Sequence, residues 1–318
     1  MTLTTRVTEL LGSEHPILLA PMDIVASGKL ARAVSQSGGL GLLGGGYGDK
    51  DWLRREFAAA GNARIGCGFI TWSLAKRPEL LDLALEHQPV AIMLSFGDPT
   101  PFAGKVKRAG SKLICQVQSF RQAKEAAEAG ADVIVAQGTE AGGHGSNRTT
   151  LTLVPEIADA LPEVPVVAAG GIADGRGLAA AVMLGAEGVL VGTRFYASQE
   201  AQGHEIAKRR ILQADGDSTL RSIVFDITRR NVWPAPYTGR VLRNSHSTRW
   251  YGRETELMQH LDEEAARYSE AGEAGNFDTA AVIAGEAVGL IHDLPPAAEI
   301  VERMVREAEV LLGRRLGL

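Results

Sequence analysis

Eight apolar runs of strand length, each followed by a stretch of helical spacing, constrain this chain more than any other feature. They are PILLAP (16–21), GLGLLGGG (39–46), RIGCGF (64–69), VAIMLSFG (90–97), KLICQV (112–117), DVIVAQG (132–138), VPVVAAGG (164–171) and GVLVGT (188–193). None alternates between apolar and polar residues, so each reads as a strand covered on both faces, as in a parallel sheet. The segments between them carry helix signals. SGKLARAVSQSGG starts on a serine and stops on glycine, SFRQAKEAAEAGA does the same, and GRGLAAAVMLGAE repeats the form. Eight strands alternating with helices place the chain in the α/β class as a (β/α)8 TIM barrel. An open doubly wound sheet is the rival. It usually has a G-x-G-x-x-G turn after its first strand, and APMDIVASG has none.

The alternation stops near Ala201. Residues 202–290 are richer in charge and read as helices with an irregular loop at 231–252. The expected organisation is therefore a barrel over 1–201, a smaller and mostly helical cap or substrate subdomain over 202–296, and a last helix over 297–318 that packs back on the barrel. The formal charge of −5 and the lack of a dense basic run argue against a nucleic-acid partner. The N-terminus has no apolar signal-peptide core, and no apolar run nears the roughly 20 residues that span a bilayer. Cys67 and Cys115 lie inside strand-like runs and read as buried reduced thiols, consistent with a cytoplasmic protein.

Barrel enzymes place their chemistry in loops at the C-terminal strand ends. The seventh and eighth runs end in AAGGIADG and VGTRF, where glycines admit close backbone approach and helices begin. Adjacent loops of this kind suit a phosphate group, through backbone N–H groups and helix N-termini; tight βα turns alone are the bland reading. The sixth run ends in AQGTEAGGHG, with a lone histidine, His144, among glycines. No second His or Cys stands at ligand spacing, so no metal site is expected. A single imidazole beside a phosphate-bearing cofactor suits proton transfer near neutral pH.

Several stretches carry a resemblance to the nitronate monooxygenase family, also called 2-nitropropane dioxygenases. They are MLSFGDPTPF, ICQVQSFRQAKEAAEAGADVIVAQGTEAGGHG, VPVVAAGGIADGRGLAAAVMLGAEGVLVGTRF and WPAPYTGRVLRN. The resemblance covers most of residues 10–200, with weaker echoes to about 292. It implies non-covalent FMN, with His144 beside the flavin as base toward neutral nitroalkanes. It also implies that Met22 covers the ring, that Gln116 reaches it, and that Ala169, Gly170, Gly171, Gly192 and Thr193 hold the phosphate. Gly142 and Gly143 would let the loop approach the ring. Family members often have Gly-x-Asn at the end of the third strand, where this chain has GCGF, so Gly68 replaces the asparagine. The implied reaction is oxidation of alkyl nitronates, or nitroalkanes, with O2 to carbonyl compounds and nitrite, by a monomer or homodimer. The same motifs occur in FMN-dependent enoyl-thioester (enoyl-ACP) reductases that use NAD(P)H, which are the alternative. A non-catalytic flavin-binding barrel is a third reading.

Other residues take plainer readings. Asp23 touches substrate or caps a helix. Phe96 and Phe102 wall the site, the loop from Trp233 to Tyr237 anchors the cap, and His246 and His292 are structural.

Overall fold

The computed structural model describes residues 3–313. All eight expected runs form strands: β1 Ile17–Leu19, β2 Leu42–Gly44, β3 Gly66–Ile70, β4 Ala91–Ser95, β5 Lys112–Val117, β6 Val133–Gln137, β8 Val166–Ala169 and β9 Gly188–Val191. They pair in parallel in the order β1-β9-β8-β6-β5-β4-β3-β2. A single bridge, Leu18 to Leu40, closes β1 onto the approach to β2 and completes the barrel. Alternate side chains point to opposite faces of a strand. Leu18, Leu42, Met93, Ile114, Val135 and Leu190 therefore fill the barrel, while neighbours such as Leu19, Leu43 and Ile92 pack outward under the helices. Val7 and Leu11, from the helix Arg6–Leu11, join the inner cluster and plug one end. The helices Gly28–Gln36 and Phe120–Glu128 begin at the expected caps, Ser27 and Ser119, each accepting from a backbone N–H of the first turn. Both cysteines are buried and free. No helix among the described residues is long and apolar enough to cross a membrane.

The segment after Ala201 departs from expectation. Besides helices it contains two strands, β10 Thr219–Ser222 and β11 Thr238–Leu242, the latter inside the stretch read as irregular loop. They pair antiparallel, and a short strand from the barrel, β7 Gly143–Gly145, adds on as the third. His144 sits opposite Gly239 in this sheet. The glycine-rich loop after β6 is therefore pinned by a ladder rather than free. TLRS, TGRVL and GHG are too short and too polar to show a strand period, which is why they escape a reading by pattern.

The last helix, Ala297–Gly313, packs on the helix Gly175–Met183 through Ile300, Val301, Met304 and Ala308. Close approach is possible because Gly175 has no side chain: a Cβ there would lie 2.5 Å from the Met304 carbonyl oxygen. The Glu307 carboxylate accepts from the Gly175 amide at 2.8 Å. Residues 314–318 of the expected helix lie outside the described residues. Met304→Ala should cost about 2–5 kcal/mol, the usual range for emptying a buried methionine site. Chemical denaturation measures this, and a change below about 0.5 kcal/mol would show that the helix does not seal the barrel.

Candidate active site

The ends of β8 and β9 form a backbone cradle. Gly170 and Gly171 turn with φ of +99° and +78°, a region that side chains rarely adopt. The Thr150 hydroxyl donates to the carbonyls of Ala169 and Gly170. The amides of Gly171, Gly192 and Thr193 donate to no acceptor among the described residues. The short helix Thr193–Tyr196 has no side-chain cap at its N-terminus. A Cβ on Gly192 would point at Ala20 Cβ and Met22 Sδ, each 3.6 Å away, so Met22 and the β9 end share one space. Unpartnered amides beside an uncapped helix start suit an anionic group such as a phosphate. The Thr193 hydroxyl accepts from the Gly285 amide at 2.9 Å, which ties this corner to the segment after Ala201.

The loop after β6 is held by polar groups. Arg221, on β10, donates to the carbonyls of Thr139 and Ala141, both at 3.0 Å, and to that of Gly143 at 3.4 Å. Arg240, on β11, donates to the Thr139 carbonyl at 3.0 Å and pairs with Glu286 at 2.9 Å. Burial, with the neighbouring Arg240 charge, pushes the Arg221 guanidinium down to about 10. Gln137, the last residue of β6, donates to the His144 carbonyl at 3.1 Å and accepts from Gln118 at 2.8 Å. Gly142 admits a close approach of backbone. A Cβ there would lie 2.7 Å from the backbone of Ala284 and Gly285.

His144 is half-buried, with its side chain 9% exposed, and its Nε2 lies 3.0 Å from both carboxylate oxygens of Asp226. A carboxylate only accepts, so Nε2 carries a proton, and in the neutral ring Nδ1 keeps its lone pair. Asp226 is itself buried and accepts from Arg229 at 3.0 Å. Burial lowers the His144 pKa, and the hydrogen bond to Asp226 opposes this without overcoming it. Asp226 was not a sequence candidate. It lies 82 residues from His144, in the motif-free helix Val224–Thr228.

Aromatic rings wall this dyad. The Trp233 indole stacks on the imidazole with centroids 3.4 Å apart and planes 7° from parallel. Its Nε1 donates to the Tyr47 hydroxyl at 2.9 Å. Phe96, at φ +64°, lies edge-on to His144, Trp233 and Tyr237. A bulky residue in the left-handed region is strained, a condition that clusters at functional sites. Phe96 thus walls the site as expected, whereas Phe102 packs in the outer core under its helix. Trp233 is more than a cap anchor, because it covers the imidazole. The Asp23 side chain caps no helix. Its carboxyl, reachable by solvent yet ringed by protein, is raised by desolvation, with Arg229 pulling the other way. Gln116 shares the inward parity of the barrel-filling Ile114 on β5 and also borders a cleft of about 550 Å³ with Gln122 and Tyr237. His246 is buried against Thr228 and Glu264, and His292 is exposed beside Asp293.

A family model described as nitronate monooxygenase matches residues 4–64 and 72–307. The chain is 36% identical to the nitronate monooxygenase of Neurospora crassa, over 93% of its own length and 90% of the relative's. FabK from Thermotoga maritima superposes with a TM-score of 0.86 at 33% identity, covering 97% of each chain. The nitroalkane oxidase of Streptomyces ansochromogenes, at 24% identity and a TM-score of 0.82, shares the fold over 96% of this chain and 98% of its own.

Gly68 is where this chain departs from the expected asparagine, and the reason is steric. A Cβ at Gly68 would lie 2.3 Å from Pro21 Cγ and 2.4 Å from Pro21 Cβ. The β1 tail crosses the barrel mouth in the space a side chain would need. Gly68→Asn should therefore destabilise the protein by about 1–3 kcal/mol, the range for overpacking. A melting temperature equal to that of the parent would show that Pro21 yields freely.

Proposed function

Because the chain belongs to the nitronate monooxygenase family, a family of flavin-dependent oxidoreductases, we propose that it binds FMN non-covalently and oxidises alkyl nitronates with O2 to carbonyl compounds and nitrite. The observation that carries this reading is the His144–Asp226 dyad, with Nδ1 unbonded, on a loop beside the β8 and β9 cradle. The cradle fits the cofactor: the amides of Gly171, Gly192 and Thr193 would hold its phosphate, and Met22 would lie over its ring. When bound, FMN supplies the electron acceptor for the nitronate and the route to O2.

The side chains do the remaining work. For a neutral nitroalkane, His144 Nδ1 removes the α-proton. Asp226 fixes the tautomer and orientation of the ring and stabilises the imidazolium that forms, as the buried carboxylate of a catalytic triad does. Arg229 donates to Asp226 at 3.0 Å and holds it in place. Phe96, Trp233 and Tyr237 keep bulk water from the base. The segment 202–296 acts as the cap that completes the site. The likeness to FabK supports a second reading, reduction of an enoyl thioester by NAD(P)H. An NAD(P)H oxidation assay with an unsaturated thioester separates the two.

The cradle is tested by charge at constant backbone. Gly192→Ala should keep FMN, because its Cβ meets nothing closer than 3.6 Å. Gly192→Asp should purify with most of its flavin lost, since a carboxylate would repel the phosphate; full flavin absorbance in that variant would refute the site. His144→Asn should lose about two to four orders of magnitude in kcat/KM with a neutral nitroalkane. Activity with the preformed nitronate should fall far less, because its proton is already gone. In the parent, kcat/KM for the nitroalkane should rise with pH through an inflection below the ordinary histidine value of about 6.5, since burial favours the neutral imidazole. Equal losses with both substrates would remove the proton-transfer role.

A further inference from the structure

We propose that Trp233 sets the size limit of the substrate, admitting compact nitronates to His144 and turning away long or bulky ones, an inference that rests on the nitronate reading above. The indole covers one whole face of the imidazole, so a substrate reaches Nδ1 from the ring edge or the opposite face. The indole is also braced. Trp72 and Phe96 meet it edge-on at 5.3 Å and 5.1 Å, Tyr237 at 6.3 Å, and Tyr47 takes its N–H. Such edge-to-face contacts each add to the burial energy of the ring, so this wall does not swing aside freely.

The backbone that carries Trp233 is different in kind. Val232 is 86% exposed, and Pro234, Ala235 and Pro236 are exposed as well. The Asn231 amide donates to the Asp226 carbonyl and the Tyr237 amide to the Pro234 carbonyl, which fixes the strap at its two ends. Trp233 is thus the large side chain that a surface strap sends into the site. Its one polar atom is already committed to Tyr47, so it has no hydrogen bond to offer a substrate. What it contributes is volume, placed against the base. Volume at that position discriminates by size, and a pocket of rigid aromatic walls does so more sharply than one lined by flexible chains.

The test compares the parent, Trp233→Ala and Trp233→Phe with the nitronates of nitroethane, 1-nitropropane and 1-nitrohexane. Binding of acetate, butanoate and octanoate to the holoenzymes is measured in parallel by titration calorimetry, since a carboxylate reproduces the planar two-oxygen anion without reacting. The parent should lose at least tenfold in kcat/KM from the propyl to the hexyl nitronate, with the loss in KM. Trp233→Ala should abolish or invert that preference and bind octanoate at least tenfold more tightly than the parent. Trp233→Phe should fall between, and it decides the matter if the alanine variant does not fold. An unchanged chain-length profile and unchanged carboxylate affinities in a folded variant overturn the role of Trp233. Lack of nitronate turnover by the flavin-loaded parent overturns the nitronate reading instead, and the carboxylate series then still decides whether Trp233 limits size.

Discussion

Two guanidiniums, of Arg221 and Arg240, hold the loop that carries His144. The segment from Gln137 to Gly145 leaves the barrel with almost no apolar side chain to pack, and its carbonyls point away from any barrel ladder. A buried carbonyl without a donor costs about 1–3 kcal/mol, so the loop needs donors from elsewhere. Arg221 and Arg240 supply them, on adjacent strands of the cap. Their mutual repulsion is tolerated because Glu286 pairs with Arg240 and backbone carbonyls accept from both. The segment after Ala201 and the barrel loop are joined here by hydrogen bonds to backbone, which fix position more sharply than an apolar contact would.

His144 inherits that fixed position and sits in a balance of opposed effects. Burial disfavours the imidazolium, while Asp226 favours it, and Arg229 weakens the help that Asp226 gives. Burial wins, so the ring rests neutral with its free nitrogen able to accept. The carboxylate then stabilises charge at the moment a proton arrives. A ring left in water would gain less from Asp226, because a high dielectric screens the pair.

The barrel was legible in the sequence because each of its strands is an unbroken apolar run with a helix signal behind it. The β8 and β9 ends were legible too, since the pair Gly170–Gly171 and the single Gly192 stand at two successive strand ends. His144 could be singled out by its isolation among glycines. Its partner could not, because Asp226 is an ordinary acidic residue in a short helix, and only the pairing of β7 with β11 brings the two together. Trp233 read as an anchor because nothing in WPAPY says which way the indole points. Gly142 read as letting its loop approach a ring and Gly68 as replacing an asparagine; a Cβ at either would also meet protein, the backbone of Ala284–Gly285 or Pro21. A glycine signals that something comes close without saying what.

The pairing of β7 with the cap sheet also orders events in time. Barrel strands from β2 to β6 find partners among their sequence neighbours. The bond from His144 to Asp226 spans 82 residues and must close a long loop before it gains anything. A nascent or partly assembled barrel carries its imidazole on an unpaired loop, with no carboxylate to set the tautomer and no indole over its face. The imidazole is thus oriented by Asp226 and covered by Trp233 only once the later third of the chain has settled on the barrel.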